Sequence, residues 1–144
     1  MLTIELVPST AWYRNLRSEL SRKDWDFIRR KQYKQAGFIC EACGGRGKKW
    51  PVECHEVWEF DDAAKVQRLV GLVALCPDCH AVKHMGFANS RGRGQAAKDH
   101  LAKVNGWTLE QTELYVAGCF DKWEERSKYQ WELDLAWLQD NLSS

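Results

Sequence analysis

No apolar run in the chain approaches the roughly 20 residues of a membrane-spanning helix, so a membrane partner is not expected. Internal repeats and low-complexity tracts are missing too, which argues against repeat arrays and disordered linkers. Met1 to Pro8 carries Glu5 and lacks the basic start and apolar stretch of a secretory leader. The expectation is therefore a cytoplasmic protein with reduced cysteines, where paired Cys-x-x-Cys motifs favour metal over disulfide. Net charge is almost absent at +1, and histidine is scarce, with four residues.

The 144 residues suffice for one domain with a real hydrophobic core, so a metal need not hold the fold alone. Eight tryptophans supply packing anchors. The small net charge conceals an asymmetry: residues 1–50 hold eleven Lys or Arg against five acids, and residues 105–144 hold three against eight. A basic front and an acidic tail suit a nucleic-acid ligand held by the front, although Arg29 to Lys34 alone fits a solvated helix face equally well.

Thr3 to Val7 alternates like a short strand and stops at Pro8. Ser21 and Asp24, followed by Trp25, Ile28 and Tyr33, predict a helix over 22–36 that ends at Gly37. Strands are expected near 52–58 and 72–75, with a short helix from Asp61-Asp62 through Leu69 between them. A helix over about 78–85 should stop at Gly86, and residues 90–94 form a flexible basic link. A further helix breaks at Asn105-Gly106, and Thr108 with Gln111 makes a capping box for a long helix through about Gln130. Residues 131–137 alternate as a final strand, which could pair with residues 3–7.

Cys40-x-x-Cys43 and Cys76-x-x-Cys79 are two metal knuckles, and four thiolates are what a structural tetrahedral zinc ion takes. Gly44 and Gly45 allow a tight turn with N–H groups aimed at sulfur. The alternative, a redox Cys-x-x-Cys, lacks the strand-to-helix setting of such sites. Cys54 and Cys119 are left over and are expected to pack as small apolar residues. Three of the four histidines cluster near the knuckles: His80 and His84, four apart on one helix face, and His55 on the strand between the cysteine pairs. They read either as a second metal site with an open position or, for the helical pair, as surface residues.

At these residues the sequence resembles the HNH (ββα-metal) nuclease family in its double Cys-x-x-Cys, zinc-knuckle variant. Val52-Glu53-Cys54-His55-Glu56-Val57 looks like the family's first strand, and Leu72 through His80 like its second strand and helix start. His80-x-x-x-His84 is similar to the metal-binding pair of colicin-type members. The resemblance covers about residues 25–88 of a single domain spanning 1–144, with a C-terminal helical extension over about 90–144. It implies an α+β fold: a ββα-metal (HNH-like) core clamped by a four-cysteine zinc site, with additional terminal helices and short terminal strands. The family's metal-ligand and His general-base pair would fall on His55 and Glu56, or in the rival register on Cys54 and His55. Gly71 stands where the family carries a bracing Asn, so the base and Asn pattern is degenerate.

The implied activity is hydrolysis of phosphodiester bonds in DNA. His55, His80 and His84 would hold a second divalent ion (Zn2+, Ni2+, Mn2+ or Mg2+), and Glu56 or His55 would activate water. Arg46, Lys48, Lys49, Arg91 and Arg93 would hold the nucleic-acid backbone without reading its sequence. The alternative is a non-catalytic zinc-stabilised module that binds nucleic acid or a protein partner.

Overall fold

The computed structural model describes residues 1–11 and 16–142, without the side chain of Arg17. Trp12 and Arg14, counted above among the anchors and basic residues, lie outside the described residues. In chain order the elements are α1 (Leu16–Glu19), α2 (Arg22–Gln35), β1 (Glu53–Asp61), β2 (Val66–Leu75), α3 (Pro77–Lys83), α4 (Met85–Ser90), α5 (Gly94–Asn105), α6 (Leu109–Arg126), β3 (Glu132–Asp134) and α7 (Trp137–Leu142). The fold is mixed α+β around one three-stranded sheet of order β1-β2-β3.

The Ser21 hydroxyl accepts from the Asp24 N–H and caps α2, and Gly37 ends it in the left-handed region at φ 65°. Thr108 and Gln111 form the expected capping box on α6. β1 and β2 pair antiparallel from Glu53↔Leu75 to Asp61↔Val66, with a register shift between Val57 and Trp58. The hairpin is therefore longer than expected, and the helix anticipated from Asp61 to Leu69 is absent. Instead of capping a helix, Asp61 Oδ1 accepts from the N–H groups of Ala63 and Ala64, and Lys65 turns through φ 58°. Asp62 makes two hydrogen bonds with the Arg126 guanidinium, at 2.8 and 3.1 Å, and ties the hairpin tip to α6.

Further expectations need correction. The helix after the second knuckle breaks at His84 (φ −101°, ψ 52°), and Gly86 lies inside α4. α6 ends at Arg126, and only Glu132–Asp134 of the final stretch is strand, with α7 following. β3 pairs parallel with β2, Val66↔Glu132 through Arg68↔Asp134, and not with the N-terminus. The link over 90–94 is an ordered turn in which Arg93 donates its N–H to the Ala88 carbonyl at 2.8 Å.

Residues 3–7 form no strand either. The segment runs between helices, and its backbone groups find partners there. Leu2 exchanges two 2.8 Å hydrogen bonds with the Asn105 amide, Ile4 donates to the Tyr115 hydroxyl at 3.0 Å, and Glu5 donates to the Lys83 carbonyl at 3.1 Å. Leu2 and Ile4 are buried in one core cluster with Leu75, Val82, Met85, Leu101 and Val116. A second cluster gathers Leu16, Trp25, Ile28, Trp58, Leu69 and Leu138 on the α2 side of the hairpin. Among the described residues no helix is long and apolar enough to cross a membrane.

Asn105→Ala should remove both bonds to Leu2 and leave its backbone groups unpaired, destabilising the fold by about 1–3 kcal/mol. Urea unfolding checks this, and an unchanged midpoint would show that the segment is held by apolar contacts alone.

Candidate metal centre and histidine cluster

The first knuckle follows directly from the end of α2. Cys40 donates its N–H to the Gly45 carbonyl at 2.9 Å, and Gly44, at φ 76°, completes a turn that L side chains rarely adopt. The turn points N–H groups at sulfur: Cys43 donates to Cys40 Sγ at 3.5 Å and Gly45 to Cys43 Sγ at 3.4 Å. Glu41 pins it to β2. Its N–H donates to the Ala74 carbonyl at 2.9 Å, and its carboxylate accepts from the Ala74 N–H at 2.6 Å. The second knuckle opens α3, with Cys76 as N-cap and Pro77 in the first turn.

The four sulfurs of Cys40, Cys43, Cys76 and Cys79 lie within 4.8 Å of one another. A tetrahedral ion with Zn–S bonds near 2.3 Å requires sulfurs about 3.8 Å apart, and Cys43 and Cys76 stand at 3.7 Å. The group can therefore hold a metal such as zinc. Its electrostatics point the same way. Burial opposes ionisation of Cys40, but N–H donors of Cys76, Cys43 and Ala42 bring its thiol down to about 7. Burial pushes Cys76 up to about 11, with Cys40 adding repulsion, and burial and the same repulsion raise Cys79 further. Four thiolates here need a cation among them. The fourth histidine, His100, which sequence reasoning passed over, has Nε2 3.1 Å from Cys79 Sγ.

Alternation along β1 decides what faces the histidines. Cys54, Trp58 and Phe60 pack in the α2-side cluster, and Glu56 belongs to their face. Its Oε1 accepts from the Leu16 N–H at 3.1 Å, and burial raises its pKa above the ordinary carboxylate value. Glu53 and His55 occupy the other face, toward α3. There the ligand nitrogens of His55, His80 and His84 come within 4.8 Å of one another. The ring centroids are 4.8–5.3 Å apart in edge-on pairs. Neither Glu56 nor Cys54 joins that group.

Two other carboxylates reach the histidines. Glu53 Oε1 is 2.9 Å from His80 Nδ1, and Glu53 Oε2 accepts from the Trp50 indole at 2.8 Å. A carboxylate only accepts, so His80 carries its proton on Nδ1 and presents a lone pair on Nε2, 3.1 Å from His84 Nε2. Glu5 Oε1 is 2.9 Å from His55 Nε2. Desolvation, then the charges of His80, His55 and Lys83, push His84 down to about 3. His84 keeps an exposed edge, and the charges of its neighbours add to the desolvation in the same direction. Glu53 was legible as a same-face neighbour two residues before His55, whereas nothing local marked Glu5.

An open groove of about 1570 Å³ runs past the histidines, lined also by Glu5, Glu53, Arg29, Trp50 and Phe87. Arg46, Lys48, Lys49, Arg91 and Arg93 are all exposed, but none lines the groove. Lys49 precedes the groove residue Trp50, and Arg91 stacks 5.1 Å over the Phe87 ring, so these two adjoin it. The chain matches no family model, no curated protein and no solved structure.

Glu56 is a partly buried acid whose folded pKa is raised, so its protonated form is the one the fold favours. It contributes most at acid pH, and stability falls as pH rises through the raised value. Glu56→Gln should therefore melt higher than the parent at pH 8 and lose that advantage at pH 4. Equal melting temperatures at both pH values would contradict this.

Proposed function

We propose that the chain is an HNH-type, metal-dependent endonuclease that hydrolyses phosphodiester bonds in nucleic acid, DNA in the first place. One observation carries the reading: three imidazoles, one from the first strand of a hairpin and two from the helix after it, converge beside a four-cysteine cluster at an open groove. That is the β-β-α order of the family the sequence resembles.

On this reading Cys40, Cys43, Cys76 and Cys79 hold a structural zinc ion, and His55, His80 and His84 hold a second divalent ion. Imidazole nitrogens bound tetrahedrally at 2.0–2.1 Å are about 3.3 Å apart, and the 3.1 Å between His80 and His84 Nε2 is close to that. Such an ion supplies polarisation of a phosphate oxygen, stabilisation of the leaving alkoxide and acidification of water. The chain's own part is positioning. Glu53 holds the His80 tautomer, Trp50 holds Glu53, and the adjoining basic residues draw the phosphate backbone across the groove. Glu56, engaged with Leu16, is left out of the water-activating role.

That engagement, with Gly71 in place of the bracing Asn, also favours a second reading: a zinc-stabilised binding module without catalysis. The metal count bears on the choice between them, and a second measurement tests the zinc site common to both. Metal analysis of the loaded protein should give two ions per chain, with His80→Ala retaining one. Chelation, or Cys76→Ser, should lower the melting temperature. A single ion, or a metal-free protein that melts unchanged, would count against the respective site.

Cleavage assays with magnesium, manganese, nickel and zinc on duplex DNA, single-stranded DNA and RNA should show activity. His80→Ala should lower it about 10²-fold or more, the rate equivalent of losing several kcal/mol of charge stabilisation. Binding without cleavage under every condition would establish the module.

A further inference from the structure

The histidine site draws on a residue far outside the stretch that resembles a nuclease. Glu5 belongs to the N-terminal segment, which hydrogen bonds from Leu2, Ile4 and Glu5 fasten to Asn105, Tyr115 and Lys83. Its carboxylate is mostly buried, 12% exposed, and meets a 5% exposed imidazole at 2.9 Å through His55 Nε2. The second oxygen accepts from the Trp58 N–H at 3.4 Å, so both oxygens are directed at β1. The anchored backbone on one side and the strand on the other leave Glu5 little freedom.

We propose that Glu5 is the positioning residue of His55: it accepts the proton-bearing Nε2 and so leaves the lone pair on Nδ1, the nitrogen with which His55 serves the site. The inference deepens the three-histidine reading and rests on it for the role of that lone pair. A buried carboxylate only accepts, and a neutral imidazole donates from one nitrogen alone, so the contact selects one tautomer. Glu5 does not join the atoms within 4.8 Å of one another at the histidine cluster, so it acts behind His55 and not as a ligand beside it. Glu53 does the same for His80 through Nδ1. The two histidines are thereby held in opposite tautomers, Nε2–H for His55 and Nδ1–H for His80, by acids that are 48 residues apart in the sequence. Removing an outer-shell carboxylate of this kind weakens metal binding by about 10–100-fold.

The test uses the full chain with zinc at the cysteines, at one fixed pH. Nitrogen-15 NMR of the imidazoles should show His55 protonated at Nε2 in the parent and a mixture of tautomers in Glu5→Ala, with His80 unchanged. Cobalt titration of the histidine site should show about 10–100-fold weaker binding in Glu5→Ala. Glu5→Gln, of the same shape and still able to accept through its amide oxygen, should keep the tautomer and lose less affinity. If Glu5→Ala does not fold, Glu5→Leu, close in size and unable to accept, takes its place. A purely structural role for Glu5 would move the melting temperature and leave the His55 tautomer alone. Protonation of parent His55 at Nδ1, or tautomers unchanged in both variants, would overturn the proposal. A parent that binds no cobalt at the histidines but shows the expected tautomer change supports Glu5 as the positioning residue and sinks the metal reading instead.

Discussion

Four thiol groups drawn to within 4.8 Å of one another repel as they ionise, and that crowding is the constraint around which the chain is arranged. Cys40 and Cys43 come from the turn that ends α2, and Cys76 and Cys79 from the head of α3. Bringing them together fixes where α3 starts relative to the hairpin, because Glu41 grips Ala74 at the end of β2 from both its backbone and its side chain. The placement of His80 against His55 is inherited from that junction. A cation among the sulfurs would convert the repulsion into a further attachment between the two segments that Glu41 already joins.

The histidine cluster has the opposite electrostatic problem, since imidazoles crowded together disfavour protonation. Burial and neighbouring positive charge depress His84 for this reason. Carboxylates answer the problem from behind, Glu53 at His80 and Glu5 at His55. Negative charge behind the imidazoles is what the proposed metal reading would require of them.

Local signals were legible wherever neighbouring residues decide the conformation. Ser21 with Asp24, Thr108 with Gln111 and Gly37 mark helix ends through bonds within a few residues, and the structure carries all three. The two knuckles and the i, i+4 histidines were legible for the same reason. Errors arose where partners are distant. Asp61 can cap a helix or close a hairpin, and the β2 residues opposite decide which. Thr3 to Val7 has the alternation of a strand but meets helices, and a strand needs a strand beside it. Glu53 stands two residues before His55 and Glu56 one after it, so strand alternation puts Glu53 on the imidazole's face and Glu56 on the other, although both line the groove. Glu5 could not have been found from spacing, since the contact spans 50 residues.

The anchoring of the N-terminal segment sets the order of events during synthesis. Leu2 and Ile4 are made first, yet their hydrogen-bonding partners are 103 and 111 residues further along the chain. At translation rates of about 5–20 residues per second, that interval lasts roughly 5–20 s. Cys79 and His84 are made only 26 and 21 residues before Asn105, so at the same rates they precede the partner of Leu2 by roughly 1–5 s. Lys83, which holds the Glu5 N–H, is made between them, so the acid behind His55 can dock on α3 only as the second knuckle is completed, and the clamp and the histidine site mature together.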